Sequence, residues 1–266
     1  MERADDASRH AIDVGLLVDL VGDHLPDDRP SVVGITGSVA VGKSHLANRL
    51  QSLISAATGG RDVEVVSTDS FLFPNAELEA RGLGMRKGFP GSYDLEAMAR
   101  FLRAVREQVP GATVPIYDHF TYDIVEGARR TVGAPDILII EGLSLLDAPP
   151  VTDLLDLSIY VDAAVDDIER WHADRFVAHA RRATQEPGGF WDLFAGLNDD
   201  QLRDAAAYTW REINLPNLIR HIAPTRDDAD VVVVKAADHS IVEVAVRSVA
   251  DEAGPTSGSP AGCSGR

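Results

Sequence analysis

The sequence contains one cysteine, Cys263, among its 266 residues. A single thiol can form neither an internal disulfide nor a metal site built from several cysteines. Positive charge is also scarce, because 42 acidic residues outnumber 25 basic ones and give a formal net charge of -17. Nucleic-acid binding requires clustered Lys and Arg, which this surface charge opposes. We therefore expect neither thiol redox chemistry nor a nucleic-acid partner.

Long apolar runs are missing as well. The longest ones, such as residues 137–140 and 231–234, are far shorter than the roughly 20 residues that cross a bilayer. Residues 1–9 alternate acidic and basic side chains and lead into no apolar stretch, unlike a secretory signal. These absences predict a cytoplasmic protein without membrane contact.

Lysine is rare, since only three of the 25 basic residues are Lys: Lys43, Lys87 and Lys235. Arginine therefore carries the solvated positive charge. A lysine retained in such a background is favoured where a guanidinium fork cannot replace a compact ammonium. Chance or codon bias would explain the same composition, so the three positions need support from the motifs around them.

The hydrophobic pattern predicts short buried strands that alternate with amphipathic helices. Such alternation is typical of an α/β domain with a doubly wound, mainly parallel sheet and helices on both faces. We predict strands over residues 31–36, 63–67, 136–140, 157–161 and 231–234, and helices over 10–25, from about 43, 95–108, 165–184, 199–213 and 241–250, with 68–93 largely in loops. The expected organisation is a helical segment over 1–30, one α/β domain over 31–250 and a disordered Gly/Ser/Pro-rich tail over 251–266.

Residues 37–44 fit the pattern G-x-x-x-x-G-K-[ST], a loop whose backbone N–H groups surround phosphate at the start of a helix. The motif follows a predicted strand and precedes a predicted helix, which distinguishes it from an ordinary Gly-rich turn. It implies a P-loop NTPase-type fold that binds ATP and Mg²⁺, in which Lys43 reaches the phosphates and Ser44 coordinates the metal. The predicted nucleotide-binding residues are Gly37, Ser38, Val39, Ala40, Val41, Gly42, Lys43 and Ser44.

Two acidic residues follow predicted strands, at the edge where open α/β sheets bind ligands. Asp69 lies just beyond the second strand and would serve as the base that a kinase needs for an alcohol substrate. Glu141 ends the strand over 136–140 and would hold Mg²⁺ or its water. Either side chain could instead cap a turn or a helix. A P-loop alone also fits a nucleotide-driven switch or motor.

Further segments carry distinctive sequences, namely TDSFLFPN (68–75), KGFPGSY (87–93), PIYDHFTYD (115–123), PDILIIEGL (135–143), SIYVD (158–162), WREINLPN (210–217) and PTR (224–226). Together with the P-loop they resemble the bacterial type I pantothenate kinases, in unbroken order from about residue 32 to 246. Uridine kinases and phosphoribulokinases share the P-loop but not the KGFP or EIN segments. All three lysines fall at positions of this family, which favours a functional role for them.

The resemblance implies transfer of the ATP γ-phosphate to the primary hydroxyl of pantothenate, the first committed step toward coenzyme A. Asp69 matches the family's catalytic base and Glu141 the acidic partner of Mg²⁺. Arg175 matches the arginine that steadies the transferred phosphoryl group, whose equatorial oxygens carry the charge. The predicted catalytic residues are therefore Lys43, Asp69 and Arg175.

The resemblance also implies a pantothenate pocket and a segment near the adenine. Hydroxyl, imidazole and amide groups suit the carboxylate, amide and alcohols of pantothenate. His119 alone would be interpreted as a structural histidine, and the surrounding YxHxxYD pattern assigns it to the pocket. The implied pocket residues are Tyr117, His119, Tyr122, His172, Asn214 and Asn217, and those near the adenine are Lys235 and His239.

Two departures from the family lie in the pocket wall. His172 stands where the family usually has tyrosine, and Leu215-Pro216 replace a Trp-Leu pair. A paralogue that phosphorylates a nucleoside, sugar or specialised metabolite is therefore the alternative to a pantothenate kinase. An inert nucleotide-binding or regulatory protein is disfavoured, because the phosphate-handling residues are all present. The family suggests a homodimer.

The resemblance further implies that coenzyme A competes with ATP and is held in part by an arginine on the helix after the P-loop. That arginine aligns with Asn48, which carries no charge. Arg49 follows it but would point about 100° around the helix. We therefore expect weak inhibition by coenzyme A.

Overall fold

The computed structural model describes residues 15–22, 25–26, 28–183 and 187–247. The strands are β1 (Ser31–Gly37), β2 (Val63–Ser67), β3 (Thr113–Asp118), β4 (Asp123–Thr131), β5 (Ile137–Glu141), β6 (Leu157–Ala163), β7 (Val231–Lys235) and β8 (Ile241–Val246). The helices are α1 (residues 15–22), α2 (Lys43–Ala57), α3 (Asn75–Ala80), α4 (Leu95–Arg106), α5 (Pro149–Thr152), α6 (Val165–Ala183), α7 (Asp199–Thr209) and α8 (Leu215–Asn217). The alternation of strands and helices is that of an α/β domain.

The main sheet has the strand order β2-β5-β1-β6-β7-β8. Neighbouring strands are parallel except for β7 and β8. β1 lies between β5 and β6, and all of its residues are buried. Burial of every residue indicates that both faces of the sheet are covered. The predicted mainly parallel sheet is confirmed.

Alternate residues of β5 face two separate cores. Ile137 and Ile139 pack in one core with side chains of α1, α2 and α6. Leu138 and Ile140 pack in the other core with side chains of α4. Helices therefore cover both faces of the sheet, as the sequence predicted. Within the described residues, no helix combines the length and the apolar character needed to cross a membrane.

The predicted helix over 241–250 was wrong, because β8 pairs antiparallel with β7 there. Four of the six residues of β8 are Ile or Val, whose β-branched side chains favour strands. A tight turn reverses the chain before it: His239 has φ 70°, and the Ser240 N–H donates to Asp238 Oδ1 at 2.9 Å. Residues 248–250 lie outside the described residues.

The segment 68–93, predicted to be largely loop, contains α3 and three 3-10 turns. A second element that the sequence did not indicate is the antiparallel hairpin of β3 and β4, which forms a small sheet of its own. Residues 10–14 and 23–24 of the predicted first helix, and the predicted disordered tail over 251–266, lie outside the described residues.

The helix predicted over 199–213 begins as α7, at a capping box formed by Asn198 and Gln201. It continues through a π-helical turn (Trp210–Asn214), α8 and a second π-helical turn (Leu218–Ile222). π-helical turns inside α-helices are frequent at functional sites. Here the first π-helical turn carries Asn214 and α8 carries Asn217, the two asparagines that the sequence assigned to the pocket.

Candidate active site

The P-loop lies between β1 and α2, at the carboxyl edge of the sheet. Gly37 has φ 140°, and a Cβ at this position would lie 2.3 Å from the Val161 carbonyl oxygen. Gly42 has φ 92°, and a Cβ there would lie 2.6 Å from Lys235 Nζ. Both positions therefore require glycine. The first turn of α2 contains no acidic residue, which leaves its N-terminus free to attract an anion.

Lys43 is buried inside the P-loop. Its Nζ donates to the Ser38 carbonyl oxygen at 2.8 Å. Burial lowers the pKa of Lys43 to about 8, although the charges of Glu141 and Asp69 oppose this shift. The hydroxyl of Ser38 is buried and has no hydrogen-bond partner among the described residues. The loop thus presents an ammonium group and an unsatisfied hydroxyl where the sequence predicts phosphate.

Ser44 and Glu141 lie side by side at the ends of neighbouring elements. The Ser44 hydroxyl donates to Glu141 Oε1 at 2.9 Å, and Glu141 is the last residue of β5, paired with Ile35 of β1. Hydroxyl and carboxylate oxygens suit Mg²⁺, which keeps several of its waters. The described residues contain no group of three or more His, Cys, Asp or Glu side chains that could hold a metal. The pair therefore fits a metal completed by water and phosphate.

Asp69 lies in the 3-10 turn Thr68–Phe71 that follows β2. The Ser67 hydroxyl accepts from the Asp69 N–H at 3.3 Å, so a serine caps this turn. Burial raises the pKa of the Asp69 carboxyl group, and the charges of His119, Lys43 and nearby cations lower it in part. A buried carboxylate with a raised pKa has the character of a general base.

The hairpin of β3 and β4 carries the aromatic residues predicted for the pocket. The ring of Tyr117 lies 5.0 Å from that of His119 and 6.0 Å from that of Tyr122. Tyr122 has φ 58° and stacks on Phe190 at 4.6 Å. Burial raises the pKa of Tyr122 to about 12, which keeps its hydroxyl protonated as a donor.

For Lys87 the sequence analysis favoured a functional role but did not say which one. Its Nζ donates to Asn75 Oδ1 at 2.7 Å and to the Tyr122 carbonyl oxygen, and lies 4.5 Å from the Tyr122 ring. Burial lowers the pKa of Lys87 to about 8. Its charge is one of those that lower the pKa of Asp69. The scarcity of lysine was the signal that pointed to it.

Arg175 and His172 lie on α6. Arg175 Nε donates to His179 Nε2 at 3.4 Å. His172 Nε2 lies 2.9 Å from Asn214 Nδ2, which makes Nε2 the acceptor and leaves the proton on Nδ1. That Nδ1 is buried, and no side chain or backbone group in the described part of the chain bonds to it. Burial and the charge of Arg175 lower the pKa of His172 to about 4, so the ring is neutral at physiological pH.

Asn217 provides a second unsatisfied polar atom. Its Nδ2 donates to the Gly88 carbonyl oxygen at 2.9 Å, while its Oδ1 is buried and accepts no hydrogen bond from any residue that the structure describes. A cavity of about 120 Å³ is lined by four of the predicted pocket residues, His119, Tyr122, His172 and Asn214. The predicted catalytic residue Arg175 and Val39 of the P-loop line the same cavity. The structure thus gathers side chains from four separate segments around one space.

Lys235 and His239 lie on the other side of the P-loop. Lys235 Nζ donates to the Val41 carbonyl oxygen at 3.0 Å, and His239 stacks on Trp171 at 4.1 Å. A cavity of about 410 Å³ opens beside them and is lined also by Arg49. Arg49 lines this cavity and Asn48 is not among its lining residues, so the two side chains leave α2 in different directions. The expected weak inhibition by coenzyme A stays a prediction.

A parallel sheet with a P-loop after its central strand, a paired hydroxyl and carboxylate for Mg²⁺ and a buried carboxyl group define a P-loop phosphotransferase. Residues 32–177 match the Phosphoribulokinase / Uridine kinase family. The chain belongs to this family.

Similar proteins divide into close relatives and more distant structures. A pantothenate kinase of Corynebacterium aurimucosum is 45% identical over 227 residues, which are 84% of this chain and 74% of the relative. A pantothenate kinase of Rhodococcus opacus is 43% identical over 86% of this chain and 75% of the relative. The crystal structure of a putative fructose transport system kinase from Silicibacter superposes with TM-score 0.64 and 30% identity, covering 77% of this chain and 91% of that one.

Proposed function

We propose that this kinase transfers the γ-phosphoryl group of ATP to the primary hydroxyl of pantothenate, forming 4'-phosphopantothenate at the start of coenzyme A synthesis. The proposal is carried by the identity of about 45% to proteins named pantothenate kinase, over most of the chain. The buried carboxyl group of Asp69 supports the same chemistry, because an alcohol must lose its proton when it attacks phosphorus.

The P-loop holds ATP. Lys43 binds the β- and γ-phosphates, in place of its present bond to the Ser38 carbonyl oxygen. Ser44 and Glu141 hold Mg²⁺, which neutralises the charge that develops on the phosphate oxygens when it is bound. Lys235 and His239 lie beside the 410 Å³ cavity, which has room for the base and sugar.

Asp69 takes the proton of the attacking hydroxyl. The alcohol oxygen forms a bond to the γ-phosphorus as the bond to the β-phosphate oxygen breaks, and ADP leaves. Burial raises the pKa of Asp69, which makes its carboxylate a stronger base than an exposed one. Arg175 stabilises the negative charge on the transferred group through its guanidinium.

The polar atoms of the pocket orient the acceptor. The Nδ1–H of His172 is a free donor and Asn217 Oδ1 is a free acceptor, and both are buried. Such atoms are costly to leave unpaired, so a substrate that satisfies both gains affinity. His119, Tyr122 and Asn214 line the same cavity as His172, and the ring of Tyr117 lies against those of His119 and Tyr122. Lys87 donates to the Tyr122 carbonyl oxygen and so holds the hairpin in place. These groups suit the amide and hydroxyls of pantothenate.

The proposed location and partners of the enzyme rest on its composition and on its resemblance to the pantothenate kinases. The absence of long apolar runs supports a cytoplasmic location, and the charge of -17 makes a nucleic-acid partner unfavourable. The resemblance to the pantothenate kinases supports a homodimer. The domain organisation that we propose is one kinase domain over 31–250, preceded by a helical segment and followed by a tail.

The test is an ADP-release assay with pantothenate and a panel of nucleosides and sugars. We expect turnover with pantothenate, and we expect Asp69→Asn to lower kcat by roughly 10²- to 10⁴-fold without changing the unfolding midpoint. Turnover of another alcohol but not of pantothenate would favour a paralogue that acts on a different acceptor. The observation that supports this alternative is the neutral His172 in the pocket. If Asp69→Asn retained more than about a tenth of wild-type kcat, Asp69 would not be the base.

A further inference from the structure

A second cavity continues the acceptor pocket away from the P-loop. It has a volume of about 130 Å³ and is lined by residues of α6 and of the segment after it, together with the hairpin tip. His119, His179 and Trp191 line both this cavity and the one beside the P-loop. The two cavities therefore adjoin, and together they extend from Val39 of the P-loop to Arg182. Arg182 lines only the outer part.

α6 presents a row of nitrogen-bearing side chains to this space. His172, Arg175, His179 and Arg182 follow one another at intervals of three or four residues, which places them on one face of the helix. Seven residues separate the two arginines, and they correspond to a rise of roughly 10 Å along the helix axis. Arg175 thus lines the cavity beside Val39 of the P-loop, and Arg182 lies roughly 10 Å farther along α6.

Arg182 has no acidic partner within the described part of the chain. By contrast, the guanidinium of neighbouring Arg181 forms a salt bridge with Asp199. Burial and the charges of Arg175 and Arg182 lower the pKa of His179, so both guanidinium groups lie close enough to act on this side chain. A guanidinium that lines a cavity and has no acidic partner among the described residues favours an anionic ligand, the more so in a protein with net charge -17.

We propose that Arg182 binds the carboxylate of the acceptor and thereby selects an alcohol that carries an anionic group at its far end. This inference rests on the proposed function. The primary hydroxyl and the carboxylate of pantothenate are separated by about as many bonds as three residues of extended backbone, or roughly 10 Å. An extended molecule with its hydroxyl at Asp69 and Arg175 reaches Arg182 with its carboxylate.

Steady-state kinetics with two acceptors test this assignment. Pantothenate is compared with pantothenol, the neutral alcohol in which a hydroxymethyl group replaces the carboxylate. We expect Arg182→Gln to raise the KM for pantothenate roughly 10- to 100-fold, because a hydrogen bond to a charged group is lost. The kcat, the KM for ATP and the KM for pantothenol should change less than about twofold. Arg182→Lys, which keeps the charge, should recover part of the affinity.

Arg181→Gln is the matched control, since it removes the same charge one residue away and should leave the KM for pantothenate unchanged. The assignment is overturned if Arg182→Gln alters neither KM, or alters both acceptors equally, which would indicate a structural role. Its failure is distinct from failure of the proposed function. If only the assignment of Arg182 fails, the wild-type enzyme phosphorylates pantothenate, and the KM does not depend on residue 182. If the proposed function fails, the wild-type enzyme does not phosphorylate pantothenate at all.

Discussion

At the scale of single residues, the pKa of Lys43 links burial to nucleotide affinity. Its side chain is 8% exposed, and burial lowers its pKa to about 8. The ammonium form exists below that pH and is lost as the pH rises through it. We predict that the Kd of the free enzyme for ATP increases several-fold between about pH 7 and about pH 9, measured by titration calorimetry with Mg²⁺ present.

Lys43→Arg provides the comparison, because a guanidinium stays charged throughout this range. Its affinity for ATP should be weaker but nearly independent of pH. A wild-type Kd that remained constant up to about pH 9 would show that Lys43 keeps an ordinary pKa in the free enzyme.

At the scale of elements, the hairpin of β3 and β4 holds the pocket residues through its tip. Asp118 accepts hydrogen bonds from the Phe120 N–H at 2.9 Å and from the Thr121 hydroxyl at 3.0 Å. The backbone hydrogen bond from Phe120 is the main cause that lowers the pKa of Asp118. These bonds fix the turn that carries His119 into the cavity.

We predict that Asp118→Ala raises the KM for the acceptor about 3- to 10-fold, since each lost hydrogen bond is worth about 1 kcal/mol. The Kd for ATP should not change, because the hairpin does not contact the P-loop cavity beside Lys235. Glu126→Ala, an exposed change on β4, serves as the control. Equal effects on both substrates would mean that the hairpin stabilises the whole domain.

The sequence predicted correctly those elements whose hydrophobic pattern follows from their own burial. It failed for elements whose structure depends on contacts with a neighbouring element. β5 is apolar up to its last residue, Glu141, because both of its faces are covered, and α6 has the expected helical period. β4 is mostly exposed, with the sequence DIVEGARRT, so no hydrophobic alternation marks it. β8 was misassigned because a short Ile/Val-rich segment fits either structure until β7 is known to lie beside it.

The candidate site shows the same division. Motif spacing was sufficient to predict where the P-loop, Ser44 and Glu141 lie, because neighbouring parallel strands end at the same edge of the sheet. Lys87 had no assigned role because its contacts are with Asn75 and Tyr122, which belong to the two elements that the sequence did not indicate. The proposed role of Arg182 could not be predicted either, because part of its cavity wall comes from His119 and Phe120, which are distant in the sequence.

At the scale of the whole molecule, Asp156 ties three parts of the domain together. Its side chain is 7% exposed and forms salt bridges with Arg29, at 2.6 Å, and with Arg106 of α4. It also accepts from the Val32 N–H of β1 at 2.8 Å. Burial raises the pKa of Asp156, but the bonds from Arg29 and Val32 outweigh it, so the net shift is downward.

We predict that Asp156→Ala lowers the free energy of unfolding by about 2–4 kcal/mol at neutral pH, because it leaves a backbone donor and two guanidinium groups unpaired. Since the folded-state pKa is lowered, the stabilisation is present above the ordinary pKa of Asp and is lost as the pH falls through the lowered value. The difference between wild type and variant, measured by urea denaturation, should therefore shrink in acid. Exposed Asp153→Ala is the control, and a similar loss there would contradict a specific role for Asp156.

The distribution of lysine has a practical consequence for covalent labelling. All three lysines lie around the P-loop or the acceptor pocket, and burial lowers the pKa of each. An amine reacts with electrophiles in its neutral form, so these groups are more nucleophilic near neutral pH than ordinary surface lysines. Apart from the α-amino group, every amine that an acylating reagent can modify therefore lies at the candidate active site. Protection by ATP would then distinguish Lys43 and Lys235 from Lys87 in a mass spectrum of the labelled peptides.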